Sequence, residues 1–214
     1  VNLKKSYLAL VITFAIALGG CNSKNAVTNS ASSAKPDSAG HAHGVQPCGC
    51  CAAKLQSPIK IDRNTAVPAP KLQVSFHGEL TQMVLKNDGH AFKTMPANPT
   101  MNNNYVFFNK QQYFFKEFHF HHPSEHWING MRAPMEMHIV YENKQTGTNV
   151  VAGLLIDTNG RPNTSLNGFF NQFPTPGVIQ GRINLSDVIQ FNANDVYYTY
   201  VGSLTTGAYT EGVA

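Results

Sequence analysis

Four histidines and two glutamates stand in two short alternating runs of this 214-residue chain, Glu117-Phe118-His119-Phe120-His121-His122 and Glu136-Met137-His138-Ile139-Val140-Tyr141. Alternation of polar and apolar residues predicts β-strands, and side chains on a strand repeat with period 2. Glu117, His119 and His121 therefore share one face of the first strand, and Glu136, His138 and Val140 one face of the second. The connection from Pro123 to Pro134 carries Asn129-Gly130 and is short enough to bring the second strand back antiparallel. With like faces aligned, three imidazoles converge beside two carboxylates. Three histidines with a fourth position left open form the ligand set of a catalytic zinc site.

The elements that would hold this pair of strands are read from the same pattern. Gln56 to Ile61 is an extended opening strand. Leu72 to Phe76, Gln82 to Lys86, Tyr105 to Phe108 and Val196 to Tyr200 are further strands, and the apolar run Asn149 to Ile156 is a central buried one. Asn87-Asp88-Gly89 and Asn102-Asn103-Asn104 mark turns. Ser165 to Phe173 and Leu185 to Ile189 have the spacing of short surface helices. The expected fold is mainly β (α+β), a single domain around a large, twisted, mostly antiparallel sheet with a few short helices.

Composition agrees. Charged residues make up 13% of the chain, with 17 Gly and 12 Pro, which suits a loop-rich β protein. The net charge of +4 is spread without a basic block, so nothing points to nucleic acid as a partner. At the N-terminus, Lys4-Lys5 and the apolar run Tyr7 to Leu18 read as a secretory leader, too short to span a bilayer comfortably. Leu18-Gly19-Gly20-Cys21 resembles a bacterial lipobox, with Cys21 as the lipidated residue. Residues 1–21 are thus expected to be a leader and 22–47 a flexible Ser/Ala/Asn-rich tether. The domain is expected at 48–214, lipid-anchored on the periplasmic side of a membrane, the outer membrane being favoured because Asn22 is not Asp. His41, His43, Cys48, Cys50 and Cys51 could form an accessory soft-metal site; cysteines available for disulfides are the reading we take.

Four separated stretches, Gln56-Ser57-Pro58-Ile59, Asn87 to Phe92, Phe118 to His126 with Met135 to Val140, and Tyr200 to Thr206, resemble the α-class carbonic anhydrases, in the family's order. The resemblance implies that His119, His121 and His138 hold Zn2+, that Glu136 orients His138, and that Glu117 supports His119 where the family usually has an amide. It implies that Glu125 fixes Thr205, that Thr206 contacts bicarbonate, and that His90 shuttles protons. Val140, Val151 and Leu204 would be the apolar wall that receives carbon dioxide. The implied reaction is reversible hydration of carbon dioxide to bicarbonate and a proton, by zinc-hydroxide attack. The alternative is a weak or inactive zinc-binding or interaction lipoprotein of the same fold. His122 and His126 are expected to be structural or exposed, and Phe118 and Phe120 to face away from the ligands. The sequence departs from the family pattern after Thr206, where Gly207-Ala208-Tyr209 stands in place of Pro-Pro and a cysteine. The family's further C-terminal strands are expected to be missing.

Overall fold

The computed structural model describes residues 4–5, 10–14, 56–68, 74–157, 161–189, 197–205 and 211–213. They fall in one unit, which comprises Val1–Ala17 and Leu55–Ala214. The expected tether, Cys21, the His41–Cys51 cluster, Leu72, Gln73 and Thr206 lie outside the described residues.

In chain order the strands are β1 (Lys4–Lys5), β2 (Leu10–Phe14), β3 (Lys60–Ile61), β4 (Val74–His77), β5 (Met83–Asn87), β6 (Phe92–Pro96), β7 (Tyr105–Phe108) and β8 (Gln111–His121). They continue with β9 (Trp127–Ile128), β10 (Met131–Arg132), β11 (Met135–Glu142), β12 (Asn149–Ile156), β13 (Arg161–Pro162), β14 (Gly177–Ile179), β15 (Tyr197–Ser203) and β16 (Glu211–Val213). Two short helices, α1 (Asn167–Gln172) and α2 (Leu185–Ile189), complete the described elements with two 3-10 turns. The predicted helix at Ser165 to Phe173 is thus a 3-10 turn, Thr164–Leu166, running into α1, in which Asn163 caps the turn by accepting from the Ser165 amide.

The main sheet has eleven strands in the order β14-β5-β6-β8-β11-β12-β2-β15-β16, with β7 also on β8 and β4 on β7. Its pairings are antiparallel except β2 with β15. Leu10–Phe14, part of the apolar run read as a leader, is here the strand between β12 and β15. Strand β6 was not foreseen: Phe-Lys-Thr-Met-Pro has little alternation, and its Thr94 is fully buried opposite Phe118.

β8 and β11 sit at the centre and explain the clean alternation of their sequences. The odd face of β11 (Met137, Ile139, Tyr141) enters the core, with Phe118 of β8 and Phe169 of α1. The even face carries Glu136, His138 and Val140. A bulge shifts the register between Val140 and Tyr141, so that Val140 faces Glu117 while Tyr141 faces Phe115. One extra residue, Lys116, reverses which side chains point inward. Phe115 before the bulge and Phe118 after it therefore both reach the core, and their ring centroids are 6.3 Å apart.

The Pro123–Pro134 connection is itself a hairpin. β9 and β10 pair around Asn129 (φ 49°) and Gly130 (φ 76°), the left-handed pair that a tight two-residue turn demands. β3 adds to β9 in parallel, so the opening segment Gln56–Ile61 is fastened beside the histidine strands.

Candidate metal centre

The observed register places His119 opposite His138, and His121 opposite Glu136. The alignment expected from the alternation is the one found. The ring centroids of His119, His121 and His138 lie 4.8, 5.3 and 4.6 Å apart pairwise. One ligand atom from each ring comes within 4.8 Å of the others, so these three residues could hold a metal ion.

The ring nitrogens are divided between two tasks. His119 donates from Nδ1 to Glu117 Oε2 at 2.9 Å, and His138 donates from Nε2 to Glu136 Oε1 at 2.9 Å. Nε2 of His119 and Nε2 of His121 are buried without a hydrogen-bond partner. A buried polar atom left unpaired costs about 1–3 kcal/mol, and two on neighbouring rings of one close set fit a cation that would satisfy both. Burial first, then repulsion from His138 and His119, pushes the His121 imidazole down to about 3. It is therefore neutral at physiological pH, with a lone pair to give.

Glu136 is the most constrained group near the site. It is fully buried. Besides His138, its Oε1 accepts from His126 Nδ1 at 2.6 Å, and its Oε2 accepts from the backbone amides of Glu125 and His126, both at 2.9 Å. Burial alone would push its carboxyl up, but the hydrogen bonds from His126 and His138 outweigh it and hold the group far below the usual carboxylate range. His126, Glu136 and His138 also converge as possible ligands. Their atoms, however, already satisfy one another, so this second set is a support rather than a site.

His126, expected to be structural or exposed, is buried and connects the centre to distant segments. Its Nε2 is 2.6 Å from the Tyr200 hydroxyl, which donates to Ser57 Oγ at 2.8 Å. Ser57 and Ser203 then exchange two bonds: the Ser57 amide donates to Ser203 Oγ at 2.9 Å and the Ser203 amide to Ser57 Oγ at 3.1 Å. Leu204 and Thr205 follow directly. Ser57, Tyr200 and Ser203 are functional supports that the sequence did not reveal, although they lie in stretches it singled out. Nothing in the chain order pairs residues 143 positions apart.

A cavity of about 500 Å³ opens over the histidines. Its lining includes Glu117, His119, His138, Val140, Val151, Leu204 and Thr205. Val140, Val151 and Leu204 thus share one cavity with His119 and His138. Val140 and Val151 are direct cross-strand neighbours. Glu125 lies beside the triad. Its Oε2 is buried without a hydrogen-bond partner, so it does not bond the Thr205 hydroxyl in this structure. The carboxylate faces the triad instead, with Oε1 3.4 Å from His121 Nδ1 and Oε2 3.9 Å from His138 Nδ1. His90 is exposed on the turn after β5 and does not line the cavity. Phe118 and Phe120 turn away from the triad, Phe118 meeting Phe169 edge-on and Phe120 meeting it tilted.

A model of eukaryotic-type carbonic anhydrases matches residues 40–214. The carbonic anhydrase of Neisseria gonorrhoeae is 33% identical over 173 residues, covering 77% of this chain and 63% of that protein. That of Pectobacterium atrosepticum is 30% identical over 168 residues, covering 77% of this chain and 65% of that protein. The chain spans less than two thirds of the length of these relatives. Among solved structures, the α-carbonic anhydrase from Thermovibrio ammonificans in complex with the inhibitor sulfanilamide is similar, with a TM-score of 0.64 and 32% identity. That similarity covers 74% of this chain and 69% of the other.

Proposed function

The chain belongs to the eukaryotic-type, α-class carbonic anhydrase family, and on that premise we propose that it catalyses the reversible hydration of carbon dioxide to bicarbonate and a proton, with Zn2+ on His119, His121 and His138. The carrying observation is the pair of buried, unpartnered Nε2 atoms on His119 and His121, in a triad of which His119 and His138 line an apolar-walled cavity. Three neutral imidazoles suit zinc and leave its charge largely unquenched. The metal, when bound, supplies a water acidic enough to lose its proton near neutral pH.

The other steps belong to the chain. Glu117 and Glu136 fix the tautomer and ring orientation of His119 and His138. Val140, Val151 and Leu204 exclude water from one side of the site and receive an uncharged, apolar substrate. Thr205 orients the reacting oxygen through its hydroxyl, in the role the family resemblance gives it, with Glu125 Oε2 as the acceptor for its proton. Thr206 contacts the bicarbonate formed. His90, on its exposed turn, passes the released proton to solvent.

Stopped-flow hydration with the zinc-loaded chain tests the proposal. A rate well above the buffer background is expected, with His119→Ala abolishing metal binding and turnover together. One bound zinc with no rate above background would leave a metal-binding protein and remove the enzyme. Lys4-Lys5, the apolar run and Cys21 support a lipid-anchored protein on the periplasmic side of a bacterial membrane, in which removal of the leader ahead of Cys21 would take Leu10–Phe14 out of the sheet. Cys21→Ser should then abolish incorporation of a labelled fatty acid. No helix among the described residues is long and apolar enough to cross a membrane.

A further inference from the structure

An imidazole that gives one nitrogen to a metal needs a partner for the other, because that partner fixes the tautomer and the ring plane. His119 has Glu117 and His138 has Glu136, each at 2.9 Å. His121 has a buried, unpartnered Nε2, and its Nδ1 lies 3.4 Å from Glu125 Oε1, close but outside hydrogen-bond geometry in this structure. We infer that Glu125 is the positioning residue of His121, so that each imidazole of the triad has a carboxylate of its own. The inference rests on the metal-binding reading above and adds a second task for this residue.

Glu125 is not a fourth ligand, for it is absent from the set of donors that converge within 4.8 Å. It is built to stand behind one. It follows His121 by four residues, across the turn at His122-Pro123, and its backbone is clamped. Its amide donates to Glu136 Oε2 at 2.9 Å. The preceding Ser124 is fully buried, donating from Oγ to the His126 carbonyl at 2.8 Å and accepting from the Ala133 amide at 2.9 Å. Glu136 therefore orients His138 directly and, through the Glu125 amide, sets where the third carboxylate stands. The two oxygens of Glu125 divide the work: Oε1 serves His121, and Oε2 is left for the hydroxyl of Thr205. Three carboxylates behind the three rings also present a negative shell to a divalent cation.

The contact is longer than the other two, so its loss should fall at the low end of the 10–100-fold range for such partners, about tenfold in metal affinity. Chelator competition on the full chain with Zn2+ measures this, comparing the parent with Glu125→Ala, Glu125→Gln, Thr205→Ala and His119→Ala. Glu125→Ala should bind zinc about tenfold more weakly. Glu125→Gln should recover part of that loss, since an amide oxygen accepts the same N–H. Thr205→Ala should bind like the parent. Glu125→Ala binding zinc as tightly as the parent, while His119→Ala fails to bind, overturns this inference and leaves the metal-binding reading intact. A parent that binds no zinc overturns both. If Glu125→Ala does not fold, the visible spectrum of the Co2+-loaded Glu125→Gln protein decides: a shifted ligand-field band supports the inference, and a band identical to the parent's overturns it.

Discussion

Glu136 Oε1 accepts two imidazole protons at once, from His126 Nδ1 at 2.6 Å and from His138 Nε2 at 2.9 Å. Oε2 of the same carboxylate accepts two backbone amides. All four partners are donors, so a glutamine cannot replace the glutamate. Either orientation of its amide would turn an NH2 group against two N–H groups in a fully buried place. Glu136→Gln is therefore expected to be nearly as damaging as Glu136→Ala, each costing about 3–5 kcal/mol, the range for breaking a buried, charge-assisted set. Urea unfolding of the metal-free chain measures it. A loss below about 1 kcal/mol, the size of one ordinary hydrogen bond, would show that the set is replaceable.

The Ser57–Tyr200 bond ties the opening segment to the strand that leads into Leu204 and Thr205. Tyr200→Phe removes the hydroxyl that joins His126 to Ser57 and should cost about 1–2 kcal/mol. It should also slow hydration, because Thr205 follows two residues after Ser203, which Ser57 holds. In a double-mutant cycle with Ser57→Ala the two losses should be less than additive, with a coupling of at least about 0.5 kcal/mol. Strictly additive losses would mean that the two residues act apart.

The triad was legible in the sequence because strand alternation is local: His119, His121 and His138 needed only period 2 and a short return. Val140 and Glu136 came with them on the same face. The long strand β8 was visible only in its second half, since the bulge at Lys116 breaks the alternation before Glu117. Strand β6 was missed because Lys93 and Pro96 mask it. The site's supports were hidden for a different reason. His126 looks like a loop histidine until Glu136 and Tyr200 are seen on either side of it. Ser57 and Ser203 carry no chemical signature of their own. Glu125 was singled out through a family resemblance for Thr205, and only the folded hairpin shows its carboxylate facing His121.

The turn that carries His90 is closed by Asp88. Its Oδ1 accepts the amides of His90 at 3.0 Å and Ala91 at 2.9 Å, and its Oδ2 pairs with Lys93 at 2.7 Å. The hydrogen bond from Lys93, then those from Ala91 and His90, hold the Asp88 carboxyl well below its ordinary value of 3.8. A depressed folded-state pKa means the contribution is complete above the unfolded value and lost as pH falls through the folded one. The turn should therefore stay closed in mild acid. An NMR titration of the Asp88 carboxyl checks this, and a midpoint at 3.8 or above would refute it. Asp88→Asn should speed amide exchange at His90 and Ala91. His90→Ala should slow turnover in dilute buffer, with rescue by imidazole; a rate independent of buffer would remove His90 from proton transfer.

Phe118 is fully buried behind the ligands, against Phe115, Phe120 and Phe169. It lies between Glu117 and His119 in the chain, yet it points to the core. Phe118→Ala should cost about 3–5 kcal/mol by opening a cavity there. Since no ring of the triad loses a partner, zinc affinity of the folded fraction should hold. Thermal unfolding with and without zinc separates the two effects. A large fall in affinity without a fall in stability would contradict this division of the strand's two faces.

Val140 and Val151 face each other across β11 and β12, and both line the cavity above His138. Neither carries a polar atom in its side chain, so their contribution to a hydration reaction is shape and dryness. Val140→Phe would project a ring into the space over the ligands while leaving every hydrogen bond of the triad in place. A substrate held ~1 Å out of position loses about 100-fold in rate, and a fall of that order in kcat/KM is expected. Zinc affinity should be unchanged, because His138 and its Glu136 partner lie on the same strand face but are not displaced. Paired measurements of hydration rate and chelator competition test the claim. Activity close to the parent's would mean that carbon dioxide does not approach over Val140, and equal losses of rate and affinity would mean that the ring has moved the ligands instead.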